Sequence, residues 1–504
     1  MSIPLIVCGP IIGTVTETTA RILLEVDQDC EIIMKVYNDE SIHKYKEKVK
    51  GRMPTIFKFE NLKRASSYTV GFDHEVSYEN INLQNVGSGF RTLSGNICNT
   101  RFLVISCNAI SKELVTDKQY SLWKHLSENI QSYDYALHLG DQVYLDWGEW
   151  FGDDENVYHK VKNLLQNVEE ENFDEYADQV RELIREEYLK TFNYEYVAKV
   201  LRNIPNFMIF DDHDFYDNYG FFELNDGSHS ALVDEFFAKH ARWYYYAYQK
   251  QLWEDIDFSD FSKIEKEYHY MTINHTALFF IDRRGCRTWT KKPDDKLKLG
   301  QDQWSSLDYC FGLNGIFRDE NIKTVFLVTT TPIVLMAHSV VLDMYGMTQK
   351  EIYEQWSYDC PEEQIRLLKL MKEFRESTKK EVVLVSGDVH MAGSTDIYHN
   401  NKFVFKQFIS SGIMQRSLTS FQSKLANFAF DFKDQLGDGF AFYHKTFTPH
   451  NNYGIIDVYD DNSIFCNWVK CWDVKKYLPT YGEPIYYNYI EKERDGRCSC
   501  CLLI

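Results

Sequence analysis

"PNFMIFDDHDFYDN", residues 205–218, is a continuous apolar run that ends abruptly in charge. Asp211, Asp212, Asp214 and Asp217 crowd around His213 in one short segment. Carboxylates this close repel one another unless a proton or a cation intervenes. The apolar part does not alternate, so it reads as a strand buried on both faces. A buried strand with acids at its carboxyl end is the unit from which the rest of the chain can be read.

The unit recurs. RFLVISC (101–107), YALHLGD (135–141), ALFFIDRR (277–284), KTVFLVTTTP (323–332) and EVVLVSGD (381–388) are apolar runs closed by polar residues. Helical stretches such as KQYSLWKHLSENIQ (118–131) and NFDEYADQVRELIREEYLKTF (172–192) lie between them. Buried strands alternating with helices predict an α/β domain with central mixed sheets over residues 98–475.

Before it, residues 1–97 carry short runs rich in β-branched and aromatic residues: RILLEVD, EIIMKVY, TIFKFENL and SYTVGFD. Their spacing predicts an N-terminal β-sandwich of immunoglobulin or fibronectin type. The charge-rich HKYKEKVKG (43–51) between two of them reads as a solvated hairpin or loop. Residues 476–504 read as a polar extension.

The chain has 504 residues, 44% hydrophobic and 15% aromatic, with a formal net charge of -20. That acidity argues against a nucleic-acid partner, which requires a basic surface. It leaves small phosphorylated substrates open, since a metal supplies local positive charge. The start, MSIPLIVCGPIIGTV, lacks the basic and apolar regions of a secretory signal. The apolar stretch IKTVFLVTTTPIVLMAHSVVL (322–342) carries Pro332, His338 and several threonines, and reads as a buried strand with its following loop rather than a membrane span. Without a secretion signal the scattered cysteines read mostly as free thiols.

Four apolar runs finish in potential metal ligands: Cys107 and Asn108; Asp141 and Tyr144; Asp211, Asp212, His213 and Asp214; Asp388 and His390. Sites in open α/β sheets form at the carboxyl ends of strands, so these ends are expected to converge around bound cations. Each residue alone has a plainer reading: Cys107 as a small core residue, Tyr144 as a half-buried phenol, DDHD as a helix cap, His390 as a satisfied core histidine.

The motifs SCN, GDQVYLD, FDDHDFYDN and VSGDVHMAG resemble, in order and spacing, those of the alkaline phosphatase D (PhoD-like) family of metallophosphoesterases. GPIIGTVTETTARILLEVD and the closing Phe90–Thr92 resemble that family's N-terminal sandwich; Asp282 and Arg284 resemble its Asp-x-Arg strand end, and Leu299–Trp304 its Leu-Gly-x-x-Gln-Trp element. The resemblance spans residues 5–460.

It implies a phosphoesterase with iron(III) held by the thiolate of Cys107 and the phenolate of Tyr144, and shared through Asp141. Calcium or another divalent cation is the implied companion, with Asp212, Asp388 and His390 at the remaining ligand positions. Thiolate and phenolate suit a trivalent iron, and carboxylates suit a hard cation. The implied chemistry is in-line attack on phosphorus by a metal-bound hydroxide, with His213 as leaving-group acid and Asp211 or Asp214 as its orienting partner. Arg284 has two readings, a bidentate phosphate clamp or a structural salt bridge near Asp282. The chain departs from the family at Asp212, where many relatives have asparagine, and at Gln142, where some have arginine.

The chain ends RCSCCLLI. Cys501 with Leu502, Leu503 and Ile504 fits a C-terminal prenylation signal, and Cys500 and Cys498 are candidate palmitoylation sites. Two lipids anchor stably where one does so marginally. The expectation is an enzyme on the cytosolic face of a membrane, not secreted, with a lipid phosphodiester among its candidate substrates. The alternative is a non-catalytic, membrane-tethered binding module that keeps the phosphatase fold. The intact ligand set weighs against it, since a scaffold needs no such set.

Overall fold

The computed structural model describes residues 3–95, 98–110, 122–146, 156–219, 227–258, 267–285, 299–335, 356, 360–415, 433–471, 479–481 and 485–487. Two large mixed sheets form its centre. The first runs in the order Asn206–Ile209, Tyr135–Leu139, Thr100–Ile105, Asn452–Val458, Ile464–Cys471, with Pro479–Tyr481 and Ile485–Tyr487 both pairing on the last of these. Its first three strands are parallel, with Leu137 opposite both Phe207 and Val104. The second has eight strands, and Thr276–Ile281, Thr324–Thr329, Glu381–Ser386 and Lys402–Ser410 are its parallel core.

The near-continuous apolar runs are explained by burial of both faces of the second sheet. Leu278, Phe280, Phe326, Val328, Val383 and Val385 join the core shared with the first sheet. The alternate residues Ala277, Phe279, Val325, Leu327, Val382 and Leu384 face a separate core. That second core is closed by the helices Gly300–Phe311 and Pro361–Thr378. Aromatic rings join the sheets, with Phe102 and Phe326 centroids 5.3 Å apart, and Phe207 and Phe280 stacked at 3.8 Å. The apolar stretch at 322–342 begins with the buried strand Thr324–Thr329; its end lies outside the described residues. No helix among the described residues is long and apolar enough to cross a membrane.

Ahead of this lie two four-stranded sheets. Leu5–Val15, Ala20–Val26, Thr55–Phe59 and Ser77–Tyr78 form one; Cys30–Tyr37, Ile42–Val49, Ser67–Phe72 and Gly89–Arg91 form the other. Side chains from both meet in one cluster, including Ile22, Leu24, Met34, Val36, Phe57 and Tyr68. Of the two readings of the charge-rich HKYKEKVKG, hairpin or loop, the structure has the hairpin. Most of it forms the strand Ile42–Val49, an edge strand that pairs antiparallel with Cys30–Tyr37. Lysines on an edge strand keep it solvated and block pairing with another chain, which is why charge there also reads as a loop.

The N-terminal sheets are tied to the centre by buried polar contacts. Tyr135 Oη donates to the Val15 carbonyl and accepts from its N–H, both at 2.8 Å. Asn206 Nδ2 reaches the Ile12 carbonyl at 3.0 Å. Glu25, 1% exposed, pairs with Arg185 at 2.6 Å and accepts from Tyr248 Oη.

Candidate metal centre

Three neighbouring strands of the first sheet and one of the second end at the same place. Cys107 follows Thr100–Ile105, Asp141 follows Tyr135–Leu139, Asp211 follows Asn206–Ile209, and Asp388 follows Glu381–Ser386. Cys107, Asp141, Asp388 and His390 all have left-handed backbones, with φ of 55°, 56°, 67° and 52°. Such conformations are costly for residues with a Cβ and concentrate where a site imposes them. Here they turn the chain sharply off three of these four strands. Gly140, at φ 89°, completes one of these turns, and a Cβ on it would lie 2.4 Å from the Asp211 Cβ.

The donors then meet. Cys107 Sγ and Tyr144 Oη both lie 3.4 Å from the same oxygen, Asp141 Oδ2. Asp141, Asp211, Asp212 and Asp388 each bring a carboxylate oxygen within 4.8 Å of the others, and Asp141, Asp212 and His213 form a second such group. His390 sits at the margin. Gln415 Nε2 lies 3.2 Å from both His390 Nε2 and Tyr144 Oη. Ser411 Oγ lies 3.1 Å from Cys107 Sγ and accepts from the His390 N–H at 3.0 Å. Asn108 faces elsewhere, accepting from Trp123 Nε1 at 2.8 Å.

The carboxylates divide into two kinds. Asp214 is a structural acceptor. It takes N–H bonds from Asp141 at 2.8 Å, Gln142 at 3.1 Å and Asp211 at 3.0 Å, and a bond from the Gln249 side chain at 3.0 Å. It thereby fixes the turn that carries Asp141. Asp211 binds Arg284 Nε at 2.6 Å and Thr330 Oγ1 at 3.0 Å. Neither reaches the His213 ring. That partner is Asp146, whose oxygens lie 2.8 and 3.1 Å from His213 Nδ1. Asp146 was quoted at the end of GDQVYLD, but nothing in its spacing marks it as the histidine's partner. The Tyr144 ring stacks on His213 with centroids 4.5 Å apart.

Arg284 is 1% exposed and engaged with carboxylates: Asp211 as above, and Asp212 Oδ1 at 3.2 Å from Nη2. Its backbone N–H, not its guanidinium, bonds Asp282, at 2.9 Å. Among the described residues the Arg284 guanidinium forms its ion pairs with Asp211 and Asp212. Gln142 is also committed, donating to the Ile209 carbonyl at 3.1 Å. The Leu299–Trp304 element has a mechanical role: Gln303 accepts from the Asp282 N–H at 2.9 Å and donates to its carbonyl at 2.8 Å, pinning the strand end that bears Arg284.

Burial and like charge make this cluster a poor home for bare anions. Burial first, then the nearby Asp211 and Asp214, push the Asp141 carboxyl up to about 7 against the opposing pull of His213 and Arg284. Burial likewise raises Asp212 well above the usual carboxylate range, against the pull of Arg284 and His213. Burial, then the Asp141 and Asp388 carboxylates, hold the Cys107 thiol well above its usual range, and Tyr144 is raised in the same way. His213 is disfavoured by burial, yet Asp146 and Asp212 outweigh that and raise it well above the ordinary histidine value. Burial, then His213, lowers His390 to about 3. Asp211 Oδ2 is buried and makes no hydrogen bond among the described residues. Thiol, phenol, imidazole and crowded carboxylates, opposed by one buried guanidinium, form a donor set that fits bound cations.

Two solved structures share this fold. One is the structure of PhoD, with a TM-score of 0.65, 14% identity, and coverage of 94% of this chain and 88% of that one. The other is the purple acid phosphatase PPD1 from yellow lupin (Lupinus luteus) seeds, with a TM-score of 0.56, 10% identity, and coverage of 94% and 72%. No protein-family model and no curated protein matches the sequence. The chain shares the fold of PhoD and of PPD1, with its candidate metal centre at the carboxyl ends of the central strands.

Proposed function

We propose that the chain is a metal-dependent phosphoesterase acting on phosphate mono- or diesters. The observation that carries this reading is the meeting of Cys107, Tyr144, Asp141, Asp212 and Asp388 at buried strand ends, on a fold shared with two phosphatases. Cys107, Tyr144 and Asp141 would hold iron(III). Asp212, Asp388 and His390, with Asp141 shared, would hold calcium or another divalent ion. Bound there, the cations neutralise the carboxylates, polarise the phosphoryl group and activate water.

The chain's own residues do the rest. Asp146 fixes His213 through Nδ1, which leaves Nε2 as the nitrogen that delivers a proton to the leaving oxygen. Stacking on Tyr144 sets the plane of that ring. Arg284 pairs with Asp211 and Asp212 and balances part of their charge. It acts as a fixed counter-cation, so phosphate gripping falls to the metals. Asp214 keeps the Asp141 turn rigid by accepting its backbone N–H groups.

The test is release of nitrophenol from nitrophenyl phosphate and from its bis-ester by metal-loaded protein. Hydrolysis that disappears on chelation, returns with metal and is absent in Asp141→Asn supports the reading. Folded, metal-loaded protein that cleaves neither ester overturns it.

We also propose that Cys501 is prenylated, with Cys498 and Cys500 as palmitoyl acceptors, so that the enzyme sits on the cytosolic face of a membrane near lipid phosphodiesters. These cysteines lie outside the described residues, and the reading rests on the terminal motif alone.

A further inference from the structure

A cavity of about 440 Å³ opens between the last turns of the helix Pro361–Thr378 and the hairpin that joins Ala392–His399 to Lys402–Ser410. Lys372, Arg375, Lys379 and Lys402 line it, opposed within the lining by Glu376 alone. The chain as a whole carries -20, so four cations at one concavity are a local reversal of sign. The helix dipole explains part of this, because cations are favoured at a helix C-terminus, where Arg375 and Lys379 stand. It does not explain Lys402, which comes from a strand. Two neighbours partly compensate: Lys372 meets Glu376 at 2.9 Å, and Arg375 meets Glu381 at 3.7 Å. Phe403 gives the cavity an apolar wall.

The cavity is separate from the metal centre. Lys402 begins the strand Lys402–Ser410, and Ser411, just past its other end, touches Cys107 at 3.1 Å. At about 3.3 Å per residue the strand sets the two places roughly 25 Å apart, at opposite ends of the sheet.

We propose that this cavity is a second anion site, which binds a small phosphorylated molecule carrying more than one phosphoryl charge. Lysine ammoniums and an arginine fork are the groups that recognise phosphate. A dianion or trianion there relieves the mutual repulsion of the lining cations. The site does not depend on the reading of the metal centre as a phosphoesterase.

The probe is propane-1,3-diphosphonate, whose C–P bonds are not cleaved, titrated calorimetrically into the metal-loaded full chain. Two binding events are expected in wild type, one at the metals and one at the cavity. Lys379→Glu combined with Lys402→Glu should weaken only the second, by roughly tenfold or more, and Lys379→Gln with Lys402→Gln by less. Both residues are exposed, so neither pair of changes disturbs a core, and nitrophenyl phosphate hydrolysis should be unchanged. A single event in wild type that both double variants leave intact overturns the proposal. So does a second event that both double variants leave intact, or binding confined to vesicles of anionic lipid. A chain that cleaves no ester yet loses one of its two binding events in the double variants would sink the enzyme reading and leave the cavity site standing.

Discussion

At the scale of single residues, His213 and Asp146 divide one task between them. The ring is positioned by a carboxylate 2.8 Å from Nδ1 and by the Tyr144 face at 4.5 Å. An acid serves a poor leaving group more than a good one. His213→Ala should therefore keep full metal content, slow alkyl phosphates by roughly a hundredfold or more, and slow nitrophenyl phosphate much less. Asp146→Asn should give the same ranking in milder form and shift the alkaline limb of the rate profile downward, because the imidazolium loses the carboxylate that holds its proton. Elemental analysis beside rates on the two ester types checks both, and equal slowing of both types would remove His213 from the acid role. Sequence pointed to Asp211 or Asp214 behind His213 because they are its neighbours along the chain. In space those side chains are taken by Arg284 and by the backbone of the Asp141 turn. Gln415 and Ser411 carried no signal at all, since serine, serine and glutamine after a strand look like any loop.

At the scale of elements, the turns off the strands hold the site together. Gly140 is the clearest case, with a left-handed backbone and no room for a methyl group beside Asp211. Gly140→Ala should cost about 1–3 kcal/mol of stability and reduce bound metal, since the strain falls on the two turns that bear Asp141 and Asp211. Denaturant titration and metal analysis of the variant test this; an unchanged midpoint and unchanged metal would show that the turn relaxes freely. The buried strands were legible because both faces of the second sheet are covered, which leaves uninterrupted apolar runs in ALFFI, TVFLV and EVVLV. The edge strand Ile42–Val49 could be read only as a hairpin or a loop, because its side chains are chosen for solvent and not for a core. The helix Ala177–Phe192 was legible as a helix, whereas its buried Arg185 was not legible as the partner of Glu25, a contact between residues far apart in the chain.

At the scale of the molecule, the N-terminal sheets are bound to the centre through buried polar contacts, and Glu25 with Arg185 is the most costly of these to break. Removing one member of a buried ion pair typically costs about 3–5 kcal/mol. The candidate metal centre lies at one end of the central sheets and the cationic cavity at the other, so the molecule has two ends of unlike chemistry. The proposed lipid anchor is a separate matter and rests on the terminal motif alone. Cys501→Ser should move the protein from membranes to the soluble fraction of expressing cells while leaving its rate on a soluble phosphoester unchanged; retention on membranes would remove the lipid anchor. The central claim is that four strand ends assemble one metal centre in which Cys107, Tyr144 and Asp141 hold iron. The visible absorption spectrum of the purified protein, taken with its iron content, tests that most directly. We expect stoichiometric iron with a phenolate-to-iron band, lost in Tyr144→Phe and kept in His213→Ala. Colourless wild type with a full complement of iron(III), or a band that survives Tyr144→Phe, would contradict it.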